Sequence, residues 1–313
     1  MMTVVTANDL RAVFGGTLKE QEPLARYTSA RIGGPADYLV EAGSAAELAD
    51  HVRSARRLGL RPFVLGGGSN VLVGDAGVRG LVILNHARLV EFRETGQQVI
   101  VRAESGTNLG SLTRQCVQRG YAGLEWAATV PGTVGGAVFG NAGAHGGDLA
   151  GNFFMAEILQ PNGVVRKWTP AELEFGYRTS ALKKQKADGQ NLVVLWAELA
   201  LTRGHPQALQ ARVDEYTAHR RRTQPPGASM GSMFKNPAGD FSGRLIEAAG
   251  LKGKRIGNAE ISNLHANFFV NLGSCRAADV LALIHLAHDA VKEKFGVDLQ
   301  LEVELVGEWG GQC

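Results

Sequence analysis

The 313-residue sequence is poor in cysteine and lacks long apolar runs. Cys116, Cys275 and Cys313 lie far apart and form no C-x-x-C pair. This pattern indicates reduced thiols rather than a disulfide framework or a redox motif. Apolar runs such as 280–284 are too short to cross a bilayer, and residues 1–10 show no basic region followed by an apolar segment. We therefore expect a cytoplasmic protein without a signal peptide or membrane insertion.

Two common nucleotide-binding motifs are also missing. No G-x-x-x-x-G-K-[ST] motif is present, and no G-x-G-x-x-G motif follows a strand pattern. The formal net charge of +3 is too small to indicate nucleic-acid binding, although it suits an anionic small molecule. There is no internal repeat. Phosphate transfer by a P-loop and dinucleotide binding by a Rossmann motif are thus unsupported.

Glycine is the residue in excess, with 41 copies, nearly twice the average usage of about 7%. Much of the excess lies in three loops: Arg31–Ala36, Leu65–Asn70, and Val130–Gly136 with Asn141–Gly143. Without a Cβ, the main chain can approach a pyrophosphate closely and direct several N–H groups at it. Each loop alone fits an ordinary tight turn. Three such loops together favour an extended dinucleotide held by main-chain groups.

Hydrophobic periodicity and capping signals predict an α+β chain. Predicted strands are 37–40, 61–65, 81–84, 192–201 and 299–306; hairpins pair 89–93 with 99–103 and 153–160 with 164–168; helices start at Ser44, Asn108, Thr169 and after Pro206, and cover 277–295. We expect a long loop at 127–151. The sequence pattern changes near Gly204-His205-Pro206, after which a basic helix follows, and this change predicts a domain boundary there.

Six motifs in a fixed order identify a resemblance that spans nearly the whole chain. They are the three glycine loops, then Gly176-Tyr177-Arg178-Thr179-Ser180, Gly231-Ser232-Met233-Phe234-Lys235-Asn236-Pro237, and His265-Ala266-Asn267-Phe268. The set resembles the UDP-N-acetylenolpyruvoylglucosamine reductase family, in its shorter type without the extra tyrosine-bearing loop. Each motif alone is weak, whereas the ordered set is specific.

The resemblance implies a fold and a reaction. The expected fold is a two-subdomain FAD-binding region of the vanillyl-alcohol-oxidase type, at 1–85 and 86–203, followed by a substrate-binding α/β domain at 204–298, with 299–313 packing back near the active site. The expected reaction reduces UDP-N-acetylglucosamine enolpyruvate to UDP-N-acetylmuramate for peptidoglycan synthesis, with NADPH as reductant and non-covalent FAD as cofactor. The favoured oligomeric state is a monomer.

The same resemblance implies binding residues. FAD contacts are expected at Arg31, Ile32, Gly33, Gly34, Leu65, Gly66, Gly67, Gly68, Ser69, Asn70, Pro131, Gly132, Thr133, Gly135, Gly136, Asn141, Ala142 and Gly143. Substrate contacts are expected at Tyr177, Lys235, Asn236 and Arg222. The run 220–222 fits a basic solvated helix face equally well.

Three residues match the family's catalytic pattern. Ser232 corresponds to the proton donor, Arg178 to a guanidinium that faces a carboxylate of rising charge, and Glu302 to a protonated carboxyl group that hydrogen-bonds the enolate. The simpler alternatives are a turn serine, a surface arginine and the polar face of an amphipathic strand. The pattern alone favours the polar face for Glu302.

Other histidines are weaker candidates. His285 and His288 stand three residues apart on a predicted helix, but no third ligand is evident, so we expect no metal site. His145 lies in a glycine loop, and we expect it to carry no covalent flavin.

Two rival functions stay open at this stage. One is an FAD-dependent alcohol or sugar oxidase of the same fold. The other is a non-catalytic module that binds flavin or a UDP-sugar, although a binding module would need no proton donor.

Overall fold

The structure is a computed structural model that describes residues 5–96, 98–187 and 192–309, and for Ala187 the backbone only. Cys313 lies outside these residues. The chain forms two compact units, each assembled from separated segments. The first unit takes the described residues of 1–19, 39–67 and 80–218, and the second unit takes those of 20–38, 68–79 and 219–313.

Helices and strands are interspersed along the described chain. The α-helices are α1 Ala7–Phe14, α2 Ala45–Arg57, α3 Leu109–Gln118, α4 Val134–Gly140, α5 Pro170–Leu173, α6 Ala181–Ala187, α7 Pro206–Thr223, α8 Ser242–Ala248 and α9 Ala277–Phe295. The strands are β1 Lys19–Pro23, β2 Pro35–Ala42, β3 Phe63–Leu65, β4 Val71–Val73, β5 Val78–Asn85, β6 Val90–Thr95, β7 Gln98–Glu104, β8 Tyr121–Ala122, β9 Gly143–Ala144, β10 Gly147–Asp148, β11 Phe153–Leu159, β12 Val165–Trp168, β13 Val193–Arg203, β14 Ala228–Ser232, β15 Arg255–Ile256, β16 Ala259–Ile261, β17 Phe268–Asn271 and β18 Glu304–Val306. Short 3₁₀ turns cover Gly15–Thr17, Leu24–Tyr27 and Glu125–Ala127.

Capping residues fix where the helices begin. Ser44 accepts a hydrogen bond from the Glu47 amide at 3.2 Å, and Asn108 accepts one from the Ser111 amide at 2.9 Å. Each side chain satisfies an N–H group that has no partner inside its helix. The predicted starts of α2 and α3 are therefore confirmed. The reciprocal half of the box at Ser44 differs from the prediction, because the Glu47 carboxylate accepts from the Gly43 amide instead.

An antiparallel sheet of order β12-β11-β13-β7-β6 organises the first unit. Alternate residues of β7, Val99, Val101 and Ala103, point into a core that also contains Leu112 of α3 and Val138 of α4. Both predicted hairpins are confirmed, β6 with β7 and β11 with β12. In the same unit, Phe63–Leu65 of β3 pairs in parallel with residues 82–84 of β5.

The second unit contains a sheet of order β14-β17-β16-β15 and the parallel pair β4 and β18. Helix α9 has the predicted bounds and buries a stripe that includes Val280, Ile284, Ala287 and Val291. It ends at Gly296, whose φ of 68° is left-handed, the conformation that glycine adopts at low cost. This helix and the sheet share one core.

The prediction of a long loop at 127–151 is wrong in part. Helix α4 and the short hairpin β9–β10 lie inside it. Thr133 caps α4 by accepting from the Gly136 amide at 3.4 Å, and Val134 and Val138 are fully buried. Burial of this apolar face outweighs the low helix propensity of the glycines.

The predicted strand 299–306 is shorter than expected. Only Glu304–Val306 forms a strand, β18, and Leu305 is 37% exposed, so the predicted apolar face does not continue to the end. The preceding residues change partners: Phe234 and Leu301 form an isolated antiparallel bridge, whereas β18 pairs with β4. A change of partner within eight residues breaks the regular alternation.

Two cysteines of the described chain behave as the sequence predicts. Cys116 in α3 and Cys275 are free thiols, and burial raises the pKa of each to about 12. Neither thiol is a nucleophile at neutral pH. Within residues 5–96, 98–187 and 192–309, no helix combines the length and apolar character needed to cross a membrane.

Candidate active site

Ser232 ends strand β14 in an irregular segment of the second unit. Its register partner is Phe268 of β17, and the pairing slips between Ser229 and Ser232. Gly231 has a φ of 78°, a conformation that other L residues rarely adopt, and a Cβ there would meet no atom within 4 Å. Glycine is thus required here by backbone conformation alone. The segment presents Ser232 half-buried at the end of the sheet.

Glu302 lies on the segment beside Ser232. The Glu302 amide donates to the Met233 carbonyl at 2.9 Å, and the Lys235 amide donates to the Gln300 carbonyl at 2.8 Å. Segment 300–302 therefore runs antiparallel to 233–235. The structure brings together two of the three predicted catalytic residues, and Glu302 is half-buried rather than on a regular solvated strand.

The Leu65–Asn70 loop contributes to the same place in the second unit. The Asn70 side-chain amide donates to the Glu302 carbonyl at 3.1 Å, and the Asn70 carbonyl accepts from the Glu304 amide at 3.0 Å. Asn70 therefore fixes the main chain of Glu302 on the side opposite Met233. A predicted cofactor residue and a predicted catalytic residue are in direct contact.

Arg178 occupies a tight turn of the first unit. Gly176 and Thr179 exchange main-chain hydrogen bonds at 3.1 and 3.2 Å, and Arg178 has a φ of 55°. The left-handed region costs a non-glycine residue roughly 1–2 kcal/mol. The guanidinium donates to the Gly143 carbonyl at 2.7 Å. Such strain is often found at functional sites, so it supports a role for this side chain.

Asn141 connects the predicted cofactor loop to the Arg178 turn. This residue is 4% exposed, and its side-chain amide donates to the Gly176 carbonyl at 3.0 Å and to Asp148 at 3.1 Å. Its side-chain oxygen accepts from the Ala150 amide at 3.0 Å. These protein partners take up both donor hydrogens of the amide. A cofactor contact at Asn141 is left to its main chain.

Several predicted cofactor glycines are required by close protein packing. A Cβ on Gly34 would lie 2.2 Å from the Asp75 carbonyl oxygen, and one on Gly68 would lie 2.1 Å from the Tyr27 carbonyl oxygen. A Cβ on Gly135 would lie 2.8 Å from the Ser105 Cβ. At these positions the simpler interpretation, a tight turn with close backbone approach, accounts for glycine.

Two of the glycine loops contact each other in the first unit. A Cβ on Gly66 would lie 2.6 Å from Thr133 Oγ1, and one on Gly67 would lie 3.0 Å from the Gly132 Cα. Gly136 is different, since a Cβ there would meet only Thr133 Oγ1, at an ordinary 3.7 Å. Gly136 therefore has room at its Cα that the described residues do not fill.

The main-chain amides of these loops divide into two groups. Those of Val134 and Gly135 donate to Thr107 and Ser105 carbonyls at 2.9 and 2.8 Å, so they are not available to a ligand. Within the part of the chain that the structure describes, the amides of Gly67 and Gly68 donate to no protein acceptor. Two adjacent free N–H groups beside glycine Cα atoms suit an anionic oxygen. The residues present therefore fit a bound dinucleotide, with fewer amides than the sequence suggested.

The Arg31–Ala36 loop is held mainly by its own unit. Ile32 is 2% exposed and belongs to the core, and its amide and carbonyl both bond the Thr28 hydroxyl group, at 3.2 and 2.8 Å. Arg31 has a φ of 56°. Asn271 donates to the Ala30 carbonyl at 2.8 Å. The loop is rigidly tied, and Arg31 is its strained member.

The predicted substrate residues occupy varied surroundings. Tyr177 is 58% exposed, Lys235 is half-buried, and Asn236 accepts from the Ser242 amide at 3.1 Å. Of the basic run on α7, Arg222 is exposed, whereas Arg220 is half-buried and burial lowers its pKa. Arg220 is therefore the least exposed member of the run 220–222.

The weaker histidine candidates have ordinary surroundings. His288 pairs with Asp289 at 2.9 Å and Asp298 at 3.1 Å, and His285 is exposed. Among the described residues, no group of three His, Cys, Asp or Glu side chains could hold a metal ion. The His145 ring stacks on the Tyr216 ring, with 4.2 Å between centroids.

Sequence reasoning missed one residue of this site. Asn267, in the His265–Phe268 motif, is 2% exposed and bonds the main chain of Phe234 with its side chain. The available signal was a single amide residue next to the apolar strand residues Phe268 and Phe269. A buried amide needs polar partners, and here they belong to the segment after Ser232.

Comparison with known proteins identifies two domain families in the chain. The domain family described as the C-terminal domain of UDP-N-acetylenolpyruvoylglucosamine reductase matches residues 223–306, and the FAD binding domain family matches residues 36–169.

Relatives are similar to the chain over almost its whole length. The UDP-N-acetylenolpyruvoylglucosamine reductase of Chloroflexus aggregans is 44% identical over 93% of this chain and 98% of its own, and that of Rubrobacter xylanophilus is 47% identical over 93% and 95%. A solved structure of the Thermus caldophilus enzyme has a TM-score of 0.77 at 35% identity, covering 93% of this chain and 98% of its own. The predictions of a mixed α and β fold and of an FAD-binding region are confirmed.

Proposed function

This chain belongs to the UDP-N-acetylenolpyruvoylglucosamine reductase family, and from that premise we propose which of its residues carry the reaction. It is an FAD-dependent oxidoreductase with NADPH as reductant, and it acts in peptidoglycan precursor synthesis by reducing UDP-N-acetylglucosamine enolpyruvate to UDP-N-acetylmuramate. When bound, FAD would supply the hydride for the terminal carbon of the enolpyruvyl double bond.

Ser232 is the proposed proton donor. Hydride addition leaves negative charge on the neighbouring carbon and its carboxylate, and that carbon is basic enough to take a proton from an alcohol. The observation that carries the proposal is the pairing of the two segments, in which the Glu302 amide bonds the Met233 carbonyl at 2.9 Å. That bond places Glu302 next to the residue that follows Ser232.

Glu302 and Arg178 are proposed to stabilise the developing negative charge. Glu302 would hydrogen-bond the enolate oxygen as a protonated acid, and its main chain is fixed on both sides by Met233 and Asn70. Arg178 would face the substrate carboxylate, because a guanidinium forms two parallel hydrogen bonds with such a group. Groups fixed in advance in this way lower the barrier most effectively.

The FAD would be held without a covalent bond by the glycine loops. The amides of Gly67 and Gly68 and the space beside Gly136 support this proposal. The remaining predicted contacts, from the Arg31–Ala36 loop and Asn141–Gly143, stay predictions. Tyr177, Lys235, Asn236 and Arg222 are the proposed contacts of the UDP-linked substrate.

The domain roles follow the two matched regions. We propose that residues 1–85 and 86–203 serve the cofactor and 204–298 the substrate, with 299–309 returning beside Ser232; residues 310–313 of the predicted segment 299–313 lie outside the described residues. The FAD-binding match at 36–169 and the C-terminal match at 223–306 support that division. The compact units have different bounds, because they follow contacts and not ligands. A cytoplasmic monomer remains our proposal for location and assembly.

Substitution of Ser232 by alanine tests the proposal. In the holoenzyme, NADPH should bleach the flavin band of Ser232→Ala as it does in the wild type. Recovery of the band on adding the enolpyruvyl substrate should slow by about 10²–10⁴-fold, the usual contribution of a general acid. Stopped-flow absorbance under anaerobic conditions measures both rates. Recovery of Ser232→Ala at the wild-type rate would remove Ser232 from the reaction.

A further inference from the structure

We propose that Asn267 is a positioning residue for proton transfer, which holds Ser232 and Glu302 in register through the main chain of Phe234. The inference rests on the proposed roles of those two residues. The side chain of Asn267 bonds Phe234, which lies in the segment that follows Ser232 and pairs with the segment of Glu302.

The side chain of Asn267 bonds both polar groups of one residue. Its oxygen accepts from the Phe234 amide at 2.9 Å, and its nitrogen donates to the Phe234 carbonyl at 2.8 Å. Its own carbonyl accepts from the Met233 amide at 2.8 Å. An amide side chain has the same donor and acceptor as a peptide group. Asn267 therefore pairs with Phe234 as a neighbouring strand would.

This pairing begins where the sheet ends. The ladder between β14 and β17 reaches Ser232 and Phe268 and does not continue to Phe234. Both Asn267 and Phe234 are almost fully buried, at 2% and 1% exposure. Water cannot replace a lost partner at such a position, so the main-chain groups of Phe234 depend on this side chain.

The other edge of the same segment carries Glu302. Lys235 bonds Gln300, and Met233 bonds Glu302, through main-chain groups at 2.8 and 2.9 Å. Segment 233–235 is thus held between Asn267 on one edge and 300–302 on the other. A shift of Phe234 would move Ser232 at one end of the segment and Glu302 beside it.

A second bond fixes Asn267 itself. Its amide donates to His265 Nδ1 at 3.2 Å, which requires that nitrogen to be unprotonated. The His265 ring is half-buried, and a Cβ on Gly243 would lie 2.9 Å from its Cε1. The ring therefore has little room to turn away. His265 supports Asn267, which in turn supports the donor segment.

The half-reactions separate a positioning role from a merely structural one. Flavin bleaching by NADPH needs no proton transfer to the substrate, whereas recovery of the band does. In the holoenzyme of Asn267→Ala, bleaching should keep its wild-type rate, and recovery should slow by about 10²-fold, as expected for a misplaced reacting group. Hydrogen exchange of the Phe234 amide should accelerate at the same time.

Asn152→Ala is the matched control. Asn152 is half-buried and bonds both Trp126 and the Ala200 carbonyl with its side chain, at 3.1 and 3.5 Å, in the first unit. It should lose stability as Asn267→Ala does but leave both half-reactions and the Phe234 exchange rate unchanged. Equal slowing of recovery in the two variants would overturn the proposal.

Asn267→Asp tests the same bonds if the alanine variant does not fold. Its carboxylate keeps the acceptor for the Phe234 amide but places a second acceptor against the Phe234 carbonyl. Protonation restores a donor there, so recovery in this variant, relative to the wild type, should speed up as the pH is lowered. A ratio that does not change with pH would contradict the role of that bond.

Ser232→Ala in the same assay distinguishes the two levels of failure. If Ser232→Ala recovers at the wild-type rate, the proposed roles fail. If Ser232→Ala is slow while Asn267→Ala recovers normally, the roles stand and the positioning inference alone is wrong.

Discussion

Each unit contains a buried asparagine that holds a predicted catalytic turn, and the two do so differently. In the first unit, the side chain of Asn141 bonds three residues on two separate segments, Asp148 and Ala150 on one and Gly176, before Arg178, on the other. In the second unit, both the oxygen and the nitrogen of the Asn267 side chain bond the main chain of Phe234. In both places an amide supplies the hydrogen-bond partners beyond the end of a helix or strand. Asn141 secures a turn against its surroundings, whereas Asn267 extends a sheet by one residue.

The glycines offer a second contrast. Protein backbone occupies the position that a Cβ would take at Gly68 and Gly34. At Gly136 the described residues leave that position open. The same set of motifs thus contains a glycine that packing requires, Gly68, and a glycine with open space at its Cα, Gly136. Stability measurements separate the two kinds.

Gly68→Ala should have the largest effect on stability. A Cβ there would lie 2.1 Å from the Tyr27 carbonyl oxygen, and the φ of 58° adds backbone strain. We expect a loss of more than about 4 kcal/mol in the free energy of unfolding, or no soluble protein. Gly96→Ala is the control, since Gly96 has a φ of 60° and no atom within 4 Å of the added Cβ. If Gly68→Ala and Gly96→Ala lose equal free energy of unfolding in urea, close packing at Gly68 does not account for its loss.

Asn141→Ala should be the next largest. It leaves the half-buried Ala150 amide and Gly176 carbonyl without their partner, at a cost of about 0.5–1.5 kcal/mol for each lost hydrogen bond. Urea denaturation of the flavin-free protein measures the loss. We also expect the Arg178 turn to loosen, so that substrate-driven recovery of the flavin band slows. A stable variant with normal recovery would break the parallel with Asn267.

Lowering the pH should weaken both units through one histidine each. Burial lowers the pKa of His51, whose ring lies 5.3 Å from that of Phe14, and burial lowers the pKa of His265. Below the ordinary value of 6.5, the unfolded chain binds protons that the folded chain resists. The stability due to each neutral ring is therefore full above that pH and is lost as the pH falls toward the lowered value.

Substitution by glutamine isolates each histidine. Urea midpoints at about pH 7 and pH 5 should differ less in His51→Gln and in His265→Gln than in the wild type. If His265→Gln keeps the full wild-type dependence on pH, the bond from the Asn267 amide to a neutral ring is not important.

Thr133→Ala should have the smallest effect on stability. It removes the cap of α4, in which Thr133 accepts from the Gly136 amide at 3.4 Å, and should lower the free energy of unfolding by about 1 kcal/mol. Thermal unfolding of the flavin-free protein measures the change. A loss as large as that of Asn141→Ala would mean that the cap of α4 stabilises the protein as much as the bonds of Asn141 do.

The sequence predicted the regular elements well because their signals are local. Caps such as Ser44 and Asn108, and the stop at Gly296, act within a few residues, and the predicted helices and hairpins follow from them. The strand at 299–306 failed because its partner changes from segment 233–235 to β4. Such a change depends on residues more than 60 positions away, which local periodicity does not record.

The sequence predicted candidate site residues, but it did not predict the contacts that hold their segments in place. The family resemblance predicted Arg178, Ser232 and Glu302. The contacts around them come from the Gly143 carbonyl at the Arg178 guanidinium, from Asn70 at the Glu302 main chain, and from Asn267 at Phe234 in the segment after Ser232. Nothing in the spacing of these residues indicates which carbonyl each side chain meets. For the same reason, sequence could not tell that Gly34 and Gly68 are required by protein packing.

The flavin content of two purified variants tests most directly whether Gly136 serves cofactor binding while Ser232 does not. Gly136→Leu adds a side chain where only Thr133 Oγ1, at 3.7 Å, lies near, and leucine favours a helix over glycine by up to about 1 kcal/mol. The account predicts that Gly136→Leu folds but lacks the flavin absorption band, whereas Ser232→Ala carries as much flavin as the wild type. Wild-type flavin in Gly136→Leu, or loss of flavin from a folded Ser232→Ala, would contradict it.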